Sequence, residues 1–159
     1  MDTIQTALRL TRPGCFMALV DLKDAYYLVP VAMEDRKYLK FDWQGGYFQF
    51  TCLPKGLPCA PRLFTKVLTP VYSLIRSLGN NCTGHIDDSF LCGYYSTCAK
   101  NIQDTVDTFL SLEFVVQPEK SVLIPAQEME FLGFLLNSIN VTIRIPPAKA
   151  ERVRLACQS

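Results

Sequence analysis

The hydrophobic positions along the chain follow two different spacings, which together predict a mixed α+β fold. Short continuous apolar runs bounded by turn residues are typical of buried strands. By this pattern we predict strands over 15–21, 37–41, 47–52, 82–86, 89–93, 121–125, 129–136 and 141–145. Three pairs of these strands are close enough in sequence to form hairpins, with turns at Gly45-Gly46, Asp87-Asp88 and Asn137-Ser138.

A helical spacing of apolar residues predicts two long helices between these strands. The first begins at Pro61, ends at Gly79 and should be kinked at Pro70. Its predicted buried face consists of Leu63, Val67, Val71, Leu74, Ile75 and Leu78. The second helix follows Ser96. Its predicted buried face consists of Ala99, Ile102, Val106, Phe109 and Leu110.

Shorter helices are predicted near both ends of the chain. One carries Ile4, Ala7 and Leu8, and another, over 147–157, carries three basic residues. These are Lys149, Arg152 and Arg154. Because the helical patterns run almost to both ends, we expect the chain to be part of something longer.

The order of the predicted elements indicates a particular sheet topology. Between residues 15 and 125 it is strand, hairpin insertion, helix, strand, strand, helix, strand. Without the insertion, this is the split β-α-β arrangement, a ferredoxin-like sheet with helices on one face. In that topology strand 15–21 runs parallel to strand 82–86, with strand 89–93 between them. Asp21 and the Asp87-Asp88 turn should therefore meet at one sheet edge.

Three carboxylates at one edge repel one another strongly. Two of them about 4 Å apart cost about 4 kcal/mol at an effective dielectric of about 20. A fold keeps such a cluster if cations neutralise it or if the groups share protons. Oxygen ligands suit Mg²⁺, and two such ions can stabilise the attacking and leaving oxygens of an in-line displacement. The alternative is that Asp87-Asp88 is a polar turn, where Asp is common.

Composition narrows the class of protein. A chain of 159 residues that is 49% hydrophobic suits one folded domain. A net charge of +1 provides no basic field over the whole chain, which weakens the prediction that this segment alone grips nucleic acid. No apolar run approaches the roughly 20 residues of a membrane span, so we expect no membrane partner.

The cysteine and histidine content excludes a zinc finger. None of the seven cysteines forms a C-x-x-C pair, and His85 is the only histidine. An odd number of cysteines with no signal peptide before them predicts reduced thiols in an intracellular protein of the cytoplasm or nucleus, not a secreted one.

Five stretches resemble, in order, the sequence motifs of reverse transcriptases. Residues 20–30 resemble motif A, and residues 53–64 resemble motif B. His85-Ile86-Asp87-Asp88 resembles the Tyr-x-Asp-Asp box of motif C. Residues 112–114 with 118–121 resemble motif D, and residues 130–134 resemble motif E, the primer grip. The sequences of these motifs are similar to those of the polymerase regions of Gypsy-like and tyrosine-recombinase retrotransposons.

The resemblance implies a single reverse-transcriptase domain over 1–159. Its palm would span 15–125, with a partial fingers insertion at about 30–52, a primer-grip hairpin over 129–145 and the start of a thumb over 147–159. The implied activity is RNA-directed DNA polymerisation, in which a dNTP is added to a primer 3′-OH on a primer–template. Two Mg²⁺ ions, or Mn²⁺, would assist. The remaining fingers, thumb and ribonuclease H regions are missing, which implies a truncated retrotransposon Pol fragment.

The resemblance also implies roles for individual residues. Asp21, Asp87 and Asp88 would bind the metals. Backbone groups from Leu22 through Lys23 and Asp24 to Ala25 would face the triphosphate, with Asp24 beside it and not on the metals. Tyr26 matches the steric gate that excludes a 2′-hydroxyl, although it is also explained as a packed aromatic residue.

The remaining implied roles belong to two lysines and the primer grip. Lys55, with Gly56, would lie over the nucleotide and reach a phosphate, or Lys55 would be a solvated loop residue. Lys120 would donate a proton to the departing pyrophosphate, or be a surface lysine. Three residues would hold the primer end. They are also explained as part of a core hairpin, which is compatible with that role. They are Phe131, Leu132 and Gly133.

Two residues depart from the family pattern. His85 replaces the usual Tyr of motif C, and Glu113 stands where Gly is usual, which predicts a disturbed turn. These departures leave a second hypothesis open, an inactive retroelement remnant that acts at most as a nucleic-acid-binding or structural domain. A third hypothesis, an unrelated ferredoxin-like metal-binding or ligand-binding domain, would require the motif match to be chance.

Overall fold

The computed structural model describes residues 3–157 and forms an α+β fold. Residues 1, 2, 158 and 159 of the predicted single domain lie outside this described part. The strands are β1 (Phe16–Lys23), β2 (Lys40–Trp43), β3 (Gly46–Gln49), β4 (Cys82–His85), β5 (Asp88–Gly93), β6 (Val115–Val116), β7 (Val122–Ala126), β8 (Glu128–Phe131), β9 (Phe134–Asn137) and β10 (Thr142–Arg144). The α-helices are α1 (Ile4–Leu10), α2 (Ala60–Ser77), α3 (Tyr95–Ser111) and α4 (Pro147–Ala156).

The main sheet has the predicted ferredoxin-like order. Its strands run β4-β5-β1-β6, and β7 also pairs with β1 on the side of β6. All of these neighbours are antiparallel, so β4 and β1 run parallel with β5 between them. The α+β prediction is confirmed, and the predicted meeting of the first strand with the 82–93 hairpin follows from this order.

Alternate residues of β1 enter two different hydrophobic clusters. Ala18, Val20 and Leu22 face helices α2 and α3. Met17 and Leu19 face the opposite side, where the second cluster includes residues of α1 and the C-terminal hairpin. Because side chains alternate along a strand, Asp21 belongs to the side without the long helices. This side is called the hairpin face below.

The predicted buried face of α2 is largely wrong. Four of its residues are exposed, namely Leu63, Val67, Leu74 and Leu78. The helix instead buries Ala60, Phe64, Leu68, Val71, Tyr72 and Ile75. Both stripes have helical spacing, and the packed one carries the two large rings, which fill more space against the sheet. The helix continues through the exposed Pro70 as one element.

The predicted buried face of α3 is partly right. Ile102 and Phe109 are buried, and Val106 packs against the first cluster. Ala99 and Leu110 are exposed. Polar residues take their places on the buried face, namely Asn101, Thr105 and Thr108. Threonine in a helix can satisfy its own hydroxyl on a preceding carbonyl, as Thr108 does on Asp104 at 2.6 Å.

The prediction of one long strand over 129–136 is wrong. The chain reverses at Leu132-Gly133, so β8 pairs with β9, and β10 adds a third strand. Leu132 and Gly133 both have positive φ, 50° and 74°. Two consecutive positive φ values suit a two-residue hairpin turn, and this turn was hidden by the continuous apolar run.

Two smaller differences from the prediction concern the hairpin insertion and an additional short strand. The predicted arm 37–41 begins as a 3-10 turn, Arg36–Leu39, and the β2–β3 hairpin reverses at Gln44-Gly45. The short strand β6 has no counterpart in the prediction. None of the helices within residues 3–157 combines the length and the apolar character needed to cross a membrane.

Candidate active site

The structure brings Asp21, Asp87 and Asp88 together at one end of the main sheet. Asp21 lies directly opposite Asp88 in the β1–β5 pairing. The N–H of Leu22 donates to the carbonyl of Asp87 at 3.0 Å, which closes the pairing at the tip. Asp21 is 7% exposed, whereas Asp87 and Asp88 are partly exposed. One nearly buried carboxylate therefore lies beside two that solvent reaches.

His85, Asp88 and Asp21 form a row across three strands. His85 pairs with Asp88 in the β4–β5 hairpin, and Asp88 pairs with Asp21. The alternation that puts Phe90 of β5 in the second cluster also assigns Asp88 to the hairpin face. The histidine that replaces the usual Tyr is thus a direct cross-strand neighbour of a proposed ligand.

The turn that carries Asp87 has an unusual backbone. The strands are joined at Ile86-Asp87, one residue earlier than the predicted Asp87-Asp88 turn, and Asp88 is the first residue of β5. Ile86 has a φ of 58°, which is strained for a β-branched residue. Such strain persists where the surrounding structure imposes it and is concentrated at functional sites.

The three carboxyls act strongly on one another. Burial and, after it, the negative charges of Asp87 and Asp21 together raise the pKa of Asp88 to about 6. Burial and the charge of Asp87 also raise the pKa of Asp21, while Lys120 opposes this rise. The Asp88 and Asp21 side chains are also hydrogen-bonded to each other.

The site fits a hard divalent cation in its chemistry. Its donors are carboxylate oxygens, which suit Mg²⁺ or Mn²⁺ and not a softer metal. Across residues 3–157, no three His, Cys, Asp or Glu side chains form a ready-made ligand set. The residues that would hold such a cation are Asp21, Asp87 and Asp88, which the strand pairing brings to one end of the sheet.

Asp24 and Lys55 form an ion pair beside the acidic cluster. Lys55 Nζ is 3.1 Å from Asp24 Oδ1, and both side chains are about half exposed. Lys55 Nζ also lies 5.3 Å from the centre of the Tyr27 ring. Asp24 adopts a left-handed backbone with φ of 51° directly after β1. The pair joins the loop after β1 to the loop before α2.

The other predicted nucleotide-binding residues surround this pair. Leu22 is buried under the helices, Lys23 is exposed at the end of β1, and Ala25 begins a 3-10 turn. Gly56 has a φ of 92° and open space around the position of a Cβ. Glycine is suited to this position because of its positive φ, since a side chain here would meet no neighbouring atom.

Tyr26 packs against the core and lies near the acidic cluster. Its ring lies 5.2 Å from that of Phe64, so it packs against the core. Burial and the charge of Asp87 raise the pKa of its hydroxyl, which indicates that the same side chain faces the acidic cluster. A ring packed on one side and directed to the site on the other is suited to a fixed steric wall.

The residues predicted for the primer grip lie on the hairpin face, next to the carboxylate row. Phe131 is buried, and its ring is 5.2 Å from that of Phe90 in β5. Leu132 packs against the same cluster. Lys149 of α4 donates to the carbonyl of Gly133 at 3.4 Å. The turn is therefore held between the sheet and the last helix.

The predicted disturbance at Glu113 does not occur. Glu113 takes the left-handed backbone that Gly usually provides, with a φ of 64°. Its N–H donates to the carbonyl of Leu110 at 3.0 Å, and the N–H of Phe114 donates to that of Phe109 at 3.0 Å. The end of α3 closes normally, at a conformational cost of about 1 kcal/mol.

Two contacts to Asp21 escaped the sequence analysis. The N–H of Asp21 donates to Ser121 Oγ at 3.0 Å, and its carbonyl accepts from the N–H of Gln117 at 2.8 Å. Lys120 lies in the same turn, and its charge acts on Asp21. The Gln117-Pro118 sequence signals a turn but not its target, because the contact spans about a hundred residues of chain.

The ferredoxin-like sheet, the two helices on one face and the paired carboxylates at its edge give the chain a palm-like α+β fold. The family described as "Reverse transcriptase (RNA-dependent DNA polymerase)" matches residues 1–136, so the chain belongs to the reverse transcriptase family. The predicted resemblance is thereby confirmed.

Relatives with curated descriptions support this assignment. The retrovirus-related Pol polyprotein of the transposon gypsy from Drosophila melanogaster is 28% identical, covering 86% of this chain and 13% of that polyprotein. The Gag-Pol polyprotein of avian reticuloendotheliosis virus is 26% identical, covering 92% of this chain and 14% of that polyprotein. The chain thus spans about a seventh of the length of these relatives.

Solved structures show the same fold. The foamy viral protease-reverse transcriptase in complex with an RNA/DNA hybrid superposes with a TM-score of 0.75 at 20% identity, over 97% of this chain and 20% of that chain. The same enzyme in complex with dsDNA gives a TM-score of 0.78 at 19% identity, over 97% of this chain and 31% of that chain.

Proposed function

We propose that the chain is the palm of an RNA-directed DNA polymerase and that Asp21, Asp87 and Asp88 hold two divalent cations there. Reverse transcriptases as a family depend on divalent metals. We assign Mg²⁺, with Mn²⁺ as a substitute, from the all-oxygen donor set. The observation that carries the proposal is the direct pairing of Asp21 with Asp88, with Asp87 at the adjacent tip of the hairpin.

The proposed reaction is transfer of a nucleotide from a dNTP to a primer 3′-OH. Bound divalent ions supply charge stabilisation to the attacking and leaving oxygens of the displacement. Lys120, in the turn beside Asp21, donates a proton to the departing pyrophosphate. The chain after Asp21, where Lys23 and Asp24 are exposed, and the Lys55 ammonium receive the triphosphate, because the charge of Asp87 acts on Lys55.

The remaining roles follow the position of each residue around the carboxylates. The Tyr26 ring, packed on Phe64, forms the wall against a 2′-hydroxyl. The turn at Leu132-Gly133, anchored through Phe131 on Phe90, holds the primer end.

The proposed substrates are a primer–template and a dNTP. The two foamy viral structures are complexes with an RNA/DNA hybrid and with dsDNA, and this chain has the same fold. Its net charge of +1 leaves much of the grip on nucleic acid to other regions. We propose that fingers, thumb and ribonuclease H segments of a longer Pol protein act with it, and that the 159 residues alone extend a primer little or not at all.

The test grafts residues 15–145 into an intact Gypsy-type polymerase. Mg²⁺-dependent dNTP incorporation on a primed RNA template should persist in the graft. It should fall by two or more orders of magnitude on Asp87→Asn, because the altered group stabilises developing charge. Asp42→Asn is the matched control, since Asp42 is an exposed carboxylate in β2. Incorporation that survives Asp87→Asn would exclude the proposed site.

A second candidate, a catalytically inactive retroelement remnant, is favoured by one observation. His85 lies opposite Asp88, and a positive charge on His85 lowers the pKa of that carboxyl, so His85 acts on the same side chain that would hold a cation. In the graft, the substitution His85→Tyr separates the two candidates. A graft that is inactive with the native His85 and becomes active on His85→Tyr supports the remnant. Similar activity before and after the substitution supports the polymerase palm.

A further inference from the structure

The outer side of β1 has two strand partners with a gap between them. β6 pairs with Leu22 and Lys23, and β7 pairs with Met17 and Leu19. Between β6 and β7 the chain leaves the sheet as a turn over 117–121. On this side the backbone of Asp21 therefore lies opposite a turn, not opposite a strand.

Ser121 closes this gap with its side chain. Its hydroxyl accepts from the N–H of Asp21 at 3.0 Å and donates to the carbonyl of Gln117 at 2.7 Å. The N–H of Gln117 donates to the carbonyl of Asp21 at 2.8 Å. A hydroxyl both accepts and donates, so Ser121 completes a ring of hydrogen bonds that satisfies both backbone groups of Asp21.

This ring also determines how Asp21 meets Asp88. Because both polar backbone groups of Asp21 point toward the turn, Asp21 and Asp88 form a non-hydrogen-bonded pair of the antiparallel ladder. The Leu22 to Asp87 hydrogen bond is the one expected next to such a pair. Side chains are closer in these pairs than in hydrogen-bonded ones. The approach of the two carboxyls thus depends on the backbone position that the turn holds.

We infer that Ser121 is a positioning residue that sets the Asp21 carboxylate against Asp88 and keeps Lys120 beside it. The inference rests on the proposed two-cation site and adds a residue to it. Ser121 touches neither substrate nor cation in this role. It acts through the backbone of Asp21 and through the turn that carries its neighbour Lys120.

The test measures Mn²⁺ binding by the 159-residue chain through electron paramagnetic resonance of free Mn²⁺. Ser121→Ala should weaken the Mn²⁺ affinity about tenfold, the low end for losing an outer partner of a metal ligand. Ser121→Thr keeps the hydroxyl and should remain within about twofold of the parent chain. Ser73→Ala is the matched control, since Ser73 is exposed and its hydroxyl bonds only within α2, to Thr69 at 3.0 Å.

A second measurement separates positioning from general destabilisation. Amide hydrogen exchange should show lost protection at Asp21 in Ser121→Ala and retained protection in the β4–β5 hairpin. If Ser121→Ala does not fold, Ser121→Cys replaces it, because the thiol has a similar volume and forms weaker hydrogen bonds. Its Mn²⁺ affinity should fall, but by less than about tenfold.

The possible outcomes distinguish a failure of the Ser121 inference from a failure of the proposed cation site. Mn²⁺ binding that Asp87→Asn abolishes but Ser121→Ala leaves unchanged overturns the inference alone. Absent Mn²⁺ binding by the parent chain, or binding that Asp87→Asn leaves intact, overturns the proposed site and the inference with it.

Discussion

Asp88 lies directly opposite Asp21 in the pairing of β5 with β1, and the two side chains are hydrogen-bonded to each other. The pKa of Asp88 rises from its ordinary 3.8 to about 6, first because of burial. The folded chain therefore binds a proton more tightly than the unfolded chain. The resulting stability is complete below pH 3.8 and is lost as the pH rises through about 6.

We predict that, without divalent ions, Asp88 makes the chain less stable at pH 7.5 than at pH 5. The full pKa difference corresponds to about 3 kcal/mol, of which roughly 1.4 kcal/mol is lost between pH 5 and pH 7.5. Solvent at this partly exposed carboxyl reduces this change to about 0.5 kcal/mol. Urea unfolding at the two pH values measures the effect. Asp88→Asn should be the more stable chain at pH 7.5 and should lack this part of the pH dependence. Equal pH dependence in both chains would contradict the raised pKa of Asp88.

The Asp24–Lys55 pair should matter for nucleotide binding and little for folding. Exposed ion pairs contribute little to stability, so Asp24→Asn and Lys55→Gln should each leave the melting temperature nearly unchanged. In the grafted polymerase, Lys55→Gln should raise the KM for dNTP several-fold, because a phosphate contact is lost. Asp24→Asn should leave the KM unchanged or lower it, since it frees the lysine. Equal dNTP KM values in parent and Lys55→Gln would assign Lys55 to the solvated loop.

The layout of the carboxylates could be predicted from sequence because it depends on strand order. The apolar run that ends at Asp21 and the hairpin around Asp87 are local signals, and the split β-α-β rule then joins them. The other candidate site residues, including Lys55 and Tyr26, were predicted from the motif resemblance. Neither source of information required knowledge of a side-chain contact.

The features that could not be predicted are those for which the sequence allows two or more local arrangements. Helix α2 has two apolar stripes, and only the packing of Phe64 and Tyr72 against the sheet decides which one is buried. The run around Leu132-Gly133 contains no polar break, so its turn is visible only from the positive φ of both residues. Ser121 reaches Asp21 through one hydroxyl in a turn, and no periodicity marks such a contact.

Gly84→Ala should destabilise the β4–β5 hairpin that carries the site. A Cβ at Gly84 would lie 2.1 Å from a carbon of the Tyr72 ring, and this ring is held by a 2.7 Å hydrogen bond between its hydroxyl and Ser89. Overpacking of this kind costs about 1–3 kcal/mol. Tyr72→Phe, which removes only the hydroxyl, should cost about 1 kcal/mol.

The double variant identifies the cause. Gly84→Ala combined with Tyr72→Ala should be less destabilised than the sum of the two single variants, because the ring that collides is gone. Urea unfolding of the four chains measures this coupling. Additive free energies of unfolding would mean that the ring and Gly84 do not touch.

Thiol labelling tests the burial of the sheet independently of any activity. Burial raises the pKa of Cys92 to about 12 and that of Cys98 to about 11, so both are protonated and shielded at neutral pH. Cys59 and Cys157 are exposed. Iodoacetamide at pH 7.5 should therefore modify Cys59 and Cys157 in the folded chain, and Cys92 and Cys98 only after unfolding in urea. Peptide mass spectrometry assigns each site, and labelling of Cys92 as fast as Cys59 in the folded chain would contradict the packing of β5 under α1 and α3.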